Sequence, residues 1–160
     1  MSIFRFLMLL SLVVWVGGVI FFAFVVAPAV FHPGVLPSRQ LAGAVVSRSL
    51  GILHWMGLVC GVVFLITSVI ESQIINGVPS LFSTRNLLVC AMILLTLISM
   101  FAISTRMLEL RNQMVFIDSV PHDDARRVEF NRLHIWSTRL ESTVLLLGLA
   151  VIFLTSRRLS

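Results

Sequence analysis

The sequence predicts an all-α protein, a four-helix transmembrane bundle with a polar helical extension between the third and fourth helices. Of its 160 residues, 58% are hydrophobic and 12% are charged, and the mean hydropathy is +1.04. Soluble domains carry about 25% charged residues, so this composition excludes an ordinary water-soluble or disordered chain. Four uncharged runs divide the sequence, and in lipid only helices can pair the backbone of such runs. The length bounds the chain to a single integral membrane domain over residues 1–160.

The runs place the four helices at about 5–31, 44–71, 84–116 and 121–156. The first run holds 26 uncharged residues between Arg5 and His32. It is longer than the core of a signal peptide, so we expect a retained helix that Pro28 kinks or ends. The second run holds 22 residues between Arg48 and Glu71.

The third run holds 20 residues, from 86 to 105, and the fourth only 15, from 142 to 156. About 20 residues are needed to cross the hydrocarbon core, so we extend the fourth helix back to Leu133. Ser38 is expected to cap an interfacial helix before the second span. Pro121 suits the first turn of the fourth helix, with Ser119 or Val120 just outside it. The ends of helices three and four then form a polar helical pair beyond the bilayer.

The arginines give a prediction for orientation. Four spans place both termini and the second connection on one side, with four arginines, and the other connections on the opposite side, with eight. The positive-inside rule therefore puts the large polar loop, residues 106–139, in the cytoplasm. The twelve basic residues are dispersed between apolar spans, which favours contact with a lipid bilayer and argues against binding of nucleic acid.

Histidines are the most informative polar residues, because this topology sends all four to one side. His54 and His134 lie on helices that run in the same direction, each near a tryptophan, and we expect them at similar depth. His54 shares a helical face with Gly57 and Gly61, and His134 shares one with Glu141, so both are expected in the bundle interior. An ionisable residue within a span indicates a function by default.

One interpretation is that the two histidines bind a cofactor, either haem b or copper, for electron transfer or metal handling. Imidazole suits both. Arg39 and Arg48 would then meet the haem propionates, and His32 would be an additional copper ligand. The other interpretation is structural, with each histidine hydrogen-bonded to a backbone carbonyl or to Glu141. No nucleophile with a nearby base and no glycine-rich phosphate loop is present, which favours a protein that is not an enzyme.

Small residues predict where helices approach closely. In the first helix, Trp15 precedes Gly17 and Gly18, and the glycines leave space for a neighbouring helix. The residues predicted to pack helices are Trp15, Gly17, Gly18, Gly57, Gly61 and Gly148. These contacts also suit a second role, in which the chain is an accessory or scaffold subunit of a larger membrane complex, or a homo-oligomer.

Several short motifs resemble a known family. They are Trp15-Val16-Gly17-Gly18, Phe21-Phe22, Ala27-Pro28-Ala29-Val30-Phe31, Arg39-Gln40-Leu41-Ala42-Gly43, and Phe130-Asn131-Arg132-Leu133-His134 with Ser137. Together they resemble the transmembrane protein 205-like family, which implies four helices and, for a bacterial member, the inner membrane. The first motif is also similar to copper-resistance protein D relatives, in which a histidine precedes the tryptophan. Here residues 11–14 contain none.

Overall fold

The computed structural model describes residues 3–78, 82–114 and 120–156. Four long helices fill these ranges, and they are α1 (Ile3–Phe31), α2 (Arg39–Asn76), α3 (Thr84–Gln113) and α4 (Ala125–Ser156). Each is long and apolar enough to cross a membrane. The predicted all-α bundle of an integral membrane protein is therefore confirmed.

α2 is longer than the expected 44–71, because the interfacial helix and the second span are continuous. Ser38 adopts an extended conformation, and its Oγ accepts a hydrogen bond from the Leu41 amide at 3.2 Å. At the other end, Gly77 takes a left-handed conformation with φ 69°, which glycine adopts without a steric cost. The predicted cap at Ser38 is confirmed, and the helix boundaries shift outward at both ends.

α4 begins later than expected, at Ala125 rather than at residue 121. Pro121 lies in a turn that the Asp124 amide closes on its carbonyl at 3.2 Å. Asp124 then caps the helix, since its Oδ1 accepts a hydrogen bond from the Arg126 amide at 2.8 Å. A carboxylate satisfies the free amides of a first turn, which explains the later start. α3 ends at Gln113, and the predicted end at 116 and Ser119 lie outside the described residues.

Two helices contain a π-helical segment, at Phe22–Val26 in α1 and at Ser99–Ser104 in α3. The segment in α1 ends just before Pro28, which neither donates a hydrogen bond nor stops the helix, and α1 continues to Phe31. The structure therefore contradicts the expectation that Pro28 ends the helix. A π-helical segment shifts the faces of a helix and is frequent at functional sites.

The helices pack in a ring, each mainly against its neighbours in sequence, with α1 closing against α4. α2 and α4 consequently stand opposite each other. The core between them contains fully buried apolar side chains, among them Met8, Leu12, Trp15, Phe64, Val89, Met92, Val144 and Val151. We call the end of the bundle that has the α1–α2 and α3–α4 connections the connection side. The opposite end, where α1 begins, α2 is connected to α3 and α4 ends, is the terminal side.

On the connection side, polar contacts hold the ends of three helices together. Arg106 on α3 makes a bidentate contact with Glu129 on α4, at 2.9 and 3.1 Å. Arg111, also on α3, donates to the Gly43 carbonyl of α2 at 3.0 Å. Its guanidinium lies 5.8 Å from the centre of the Phe130 ring, a favourable cation–π distance. The predicted polar extension is thus joined to the start of α2.

Candidate functional site

A histidine and a glutamate meet across the centre of the bundle. His54 on α2 and Glu141 on α4 lie with Nε2 and Oε1 2.6 Å apart, although their helices stand opposite each other. A nitrogen and a carboxylate oxygen at this distance need one proton between them, because two lone pairs would repel. We call these two residues the His54–Glu141 pair.

α3 supplies the third member of the site. Ser99 is fully buried, and its Oγ donates towards Glu141 Oε1 at 3.5 Å, the outer limit for a hydrogen bond. Ser99 is also the first residue of the π-helical segment in α3. One carboxylate therefore holds groups from two other helices in the apolar interior.

The two members of the pair differ in their access to the surroundings. The His54 side chain is 2% exposed, whereas that of Glu141 is 19% exposed. His54 Nδ1 is buried and has no hydrogen-bond partner among the described residues. An unpaired buried polar atom is costly in an apolar interior, and Nδ1 is the unsatisfied buried atom of the pair among the described residues.

Trp15 covers the pair from the terminal side. Its indole packs against Gly57 and Gly61 of α2, so closely that a Cβ built at Gly61 would lie 2.8 Å from the ring. The small-residue pattern on α2 therefore admits a side chain of α1. His54, Gly57 and Gly61 are all buried, and the predicted interior face of α2 is confirmed.

The other predicted packing glycines have different surroundings. A Cβ at Gly18 would lie 2.8 Å from Met56, and one at Gly148 would lie 2.6 Å from Val16, so both glycines face a neighbouring helix. Gly17, by contrast, has nothing within 4 Å of such a Cβ and is exposed. Among the described residues, then, no helix packs against Gly17.

The structure does not bring His134 to His54. The partner of His54 is Glu141, and His134 lies seven residues before it on α4, about 10 Å nearer the connection side. His134 is exposed, as is Thr138 on the same face. The expectations of equal depth and of an interior His134 are therefore wrong, because the packing offsets α4 by two turns.

The remaining predicted ligands are also apart from the pair. Arg39 and Arg48 are exposed on α2 towards the connection side. His32 lies just after α1, exposed, where its Nδ1 donates to the Pro33 carbonyl at 2.9 Å. Within the described ranges, no three histidine, cysteine, aspartate or glutamate side chains lie close enough to hold a metal ion. Haem b and copper stay predictions.

A second buried polar cluster lies on the terminal side, and the sequence did not indicate it. Glu71 on α2 accepts from Arg5 Nε of α1 at 2.5 Å, and Arg85 Nη2 of α3 lies 3.5 Å from its other oxygen. Next to it, Ser68 donates to the Asn86 side chain at 2.8 Å. The orientation argument uses Arg5 and Arg85 only as two of the four arginines on this side. The signal was Glu71, the single acid that ends the second uncharged run.

In comparisons with known proteins, one family matches the chain over its first three helices. Residues 10–115 match a family described as "Domain of unknown function (DUF4149)". Neither the curated proteins nor the solved structures give a match. The resemblances to the transmembrane protein 205-like family and to copper-resistance protein D stay expectations.

Proposed function

We propose that this chain, which belongs to the DUF4149 family, is an integral membrane protein whose function depends on a proton held within the bilayer by His54 and Glu141. One observation carries the proposal, the contact of 2.6 Å between Nε2 and Oε1 in the bundle interior. Ionisable residues inside a membrane span are expensive and mark proton relays and ion pathways. The proton between these two residues is the chemical species that the site is equipped to bind.

The apolar surroundings favour a pair without net charge. With one proton, the pair is neutral overall, either as two neutral groups or as an ion pair. Removing that proton leaves a net negative charge in the interior, and adding another leaves a net positive charge. Both are unfavourable where water is excluded. Release or uptake therefore requires water to enter or the helices to move.

The helices around the pair would respond to such a change. Glu141 is in contact with α2 through His54 and with α3 through Ser99. Loss of the proton would weaken the contact across the bundle and favour separation of α2 from α4. The proposed function is thus a proton-linked change in helix packing, with the connection side as the region that transmits it.

Infrared spectroscopy of the protein in lipid nanodiscs tests this proposal. Difference spectra between two pH values are expected to contain a carboxyl band that disappears in Glu141→Gln and shifts in His54→Gln. The matched control is Glu109→Gln, since Glu109 is exposed on the α3 extension. A spectrum that neither Glu141→Gln nor His54→Gln changes would overturn the proposal.

A further inference from the structure

We propose that the proton of the His54–Glu141 pair exchanges with water from the connection side alone, along the outer face of α4 that carries His134, Thr138, Arg139 and Ser142. This inference rests on the proposed function and adds the route to it. It also gives His134 a role that does not require contact with His54.

The first observation is that Glu141 is the accessible member of the pair. Its side chain is 19% exposed, whereas the imidazole of His54 is 2% exposed. A proton that leaves or enters the pair must therefore pass the carboxylate. Ser142, the next residue on α4, is exposed, so polar surface adjoins the carboxylate.

The second observation is a series of polar side chains on α4, from the connection side to the depth of Glu141. His134, Thr138 and Ser142 follow one another at intervals of four residues, are all exposed, and lie on one open surface of α4 together with Ile135 and Trp136. The Thr138 and Ser142 hydroxyls each donate to the carbonyl four residues before, at 3.0 and 2.9 Å. Their oxygens keep lone pairs that accept from water.

Arg139 explains how water reaches this depth. It is exposed, with its guanidinium 5.5 Å from the centre of the Trp136 ring, and it lies two residues from Glu141. An arginine below the membrane surface keeps its hydration by extending towards the interface and by thinning the bilayer locally. Water that hydrates Arg139 would lie at the depth of Glu141, beside Thr138 and Ser142 on the same exposed surface of α4.

The third observation is that the terminal side is closed. Between the pair and Glu71, 17 residues further along α2, the interior spans about 25 Å. It contains buried apolar side chains, and three of the largest are Trp15 at 2%, Phe64 at 1% and Met92 at 0% exposure. The hydroxyl groups in this interval, on Thr67, Ser68 and Thr96, are buried as well and donate within the bundle. They are therefore not open to water in the way that the exposed hydroxyls on α4 are.

The positions of the charged groups around the pair also favour exchange from the connection side. α1 has no titratable residue between Arg5 and His32, and α3 has only the exposed Cys90 between Arg85 and Arg106. α2 has only Cys60, besides His54, between Arg48 and Glu71. On α4, the neighbouring groups are Arg139 and His134. Every charged or basic group within about 12 Å along the helices therefore lies towards the connection side.

The test measures how fast the Glu141 carboxyl band exchanges after transfer of nanodiscs from H2O to D2O. Thr138→Val keeps the shape of the side chain and removes its hydroxyl, and we expect exchange to slow by about tenfold, which is about 1.4 kcal/mol in the barrier. Thr155→Val is the matched control, because Thr155 also donates to a carbonyl four residues before but lies near the terminal side. Its exchange rate should equal that of the unchanged protein.

His134→Gln gives a second, independent readout. We expect slower exchange that added imidazole restores, which a purely structural role would not produce. His122→Gln, at an exposed position before α4, serves as its control. Unchanged exchange in both Thr138→Val and His134→Gln would overturn the route and leave the proton pair standing. A wild-type protein without a Glu141 band that responds to pH would instead overturn the proposed function.

Discussion

The indole of Trp15 on α1 lies against the backbone of Gly57 on α2, in a space that any larger residue at that position would fill. The same ring reaches Gly61, one turn further along α2. Trp15 therefore fixes how closely the first two helices approach. It also forms the apolar wall on the terminal side of His54.

Replacement of Gly57 by alanine should destabilise the bundle. The added Cβ would collide with the Trp15 ring, whose position is fixed by burial. Overpacking of a core costs about 1–3 kcal/mol, and this loss should appear as a lower free energy of unfolding in detergent titrations. Gly17→Ala is the control, since nothing lies within 4 Å of its Cβ. Equal loss of stability in the two variants would contradict the packing described.

His54 and Glu141 should be energetically coupled. Removing one partner leaves the other polar group buried and unpaired, which costs about 3–5 kcal/mol for buried pairs. We expect the double variant His54→Ala/Glu141→Ala to lose less stability than the sum of the single variants, by about 0.5–3 kcal/mol. Unfolding free energies of the four proteins in this cycle measure that difference.

The pair formed by Arg106 and Glu129 provides a comparison for this cycle. Its side chains are 42% and 30% exposed, so screening by solvent should make its coupling weaker than that of His54 and Glu141. A larger coupling there than for His54 and Glu141 would contradict the central position assigned to the buried pair.

Asp124 should make the start of α4 sensitive to acid only at very low pH. The hydrogen bond from the Arg126 side chain is the main cause that lowers the pKa of Asp124 from 3.8 to about 2. A lowered pKa in the folded protein contributes stability that is complete above the unfolded value, 3.8, and is lost as the pH falls through about 2. Protection of the first-turn amides in hydrogen exchange should therefore decline between these two values. Asp124→Asn should remove this dependence, and Asp123→Asn should keep it.

The predicted haem b or copper has a direct test in the protein purified in mild detergent. A bound cofactor would give a Soret band that shifts on reduction, or one copper per chain, and His54→Ala should abolish either signal. His134→Ala separates the two roles proposed for that residue, since loss of the signal would indicate a ligand. Colourless, metal-free protein would contradict the cofactor prediction and leave the proton pair unaffected.

The sequence was sufficient for the helices because their lengths follow from uncharged runs and the thickness of a bilayer. It was also sufficient for the interior position of His54, since Gly57 and Gly61 mark the face of α2 on which it lies. The sequence was not sufficient for the depth of one helix relative to another. Side-chain packing across the bundle determines that offset, and single-helix periodicity contains no information about it. His134 was misplaced for this reason.

The sequence also did not predict which charged residues at the ends of the spans contact one another. The structural alternative had named Glu141 as a partner for a histidine, and the structure has this contact for His54. Arg5, Glu71 and Arg85 lie on three helices. Glu71 and Arg85 flank the short α2–α3 connection, whereas Arg5 is 66 residues from Glu71 and reaches it only through the packing of α1 on α2. Which of these residues pair depends on tertiary structure, whereas the side of the membrane on which each one lies depends on topology alone.

α2 is an unbroken helix, so a small tilt of it moves its ends by a large distance. From Arg39 to Asn76 the helix has 38 residues, about 57 Å at 1.5 Å per residue, and His54 lies about 24 Å from its first capped turn. A tilt of 10° about the level of His54 would move that turn sideways by about 4 Å. Because Arg111 joins the beginning of α2 to α3, such a tilt would carry the end of α3 with it.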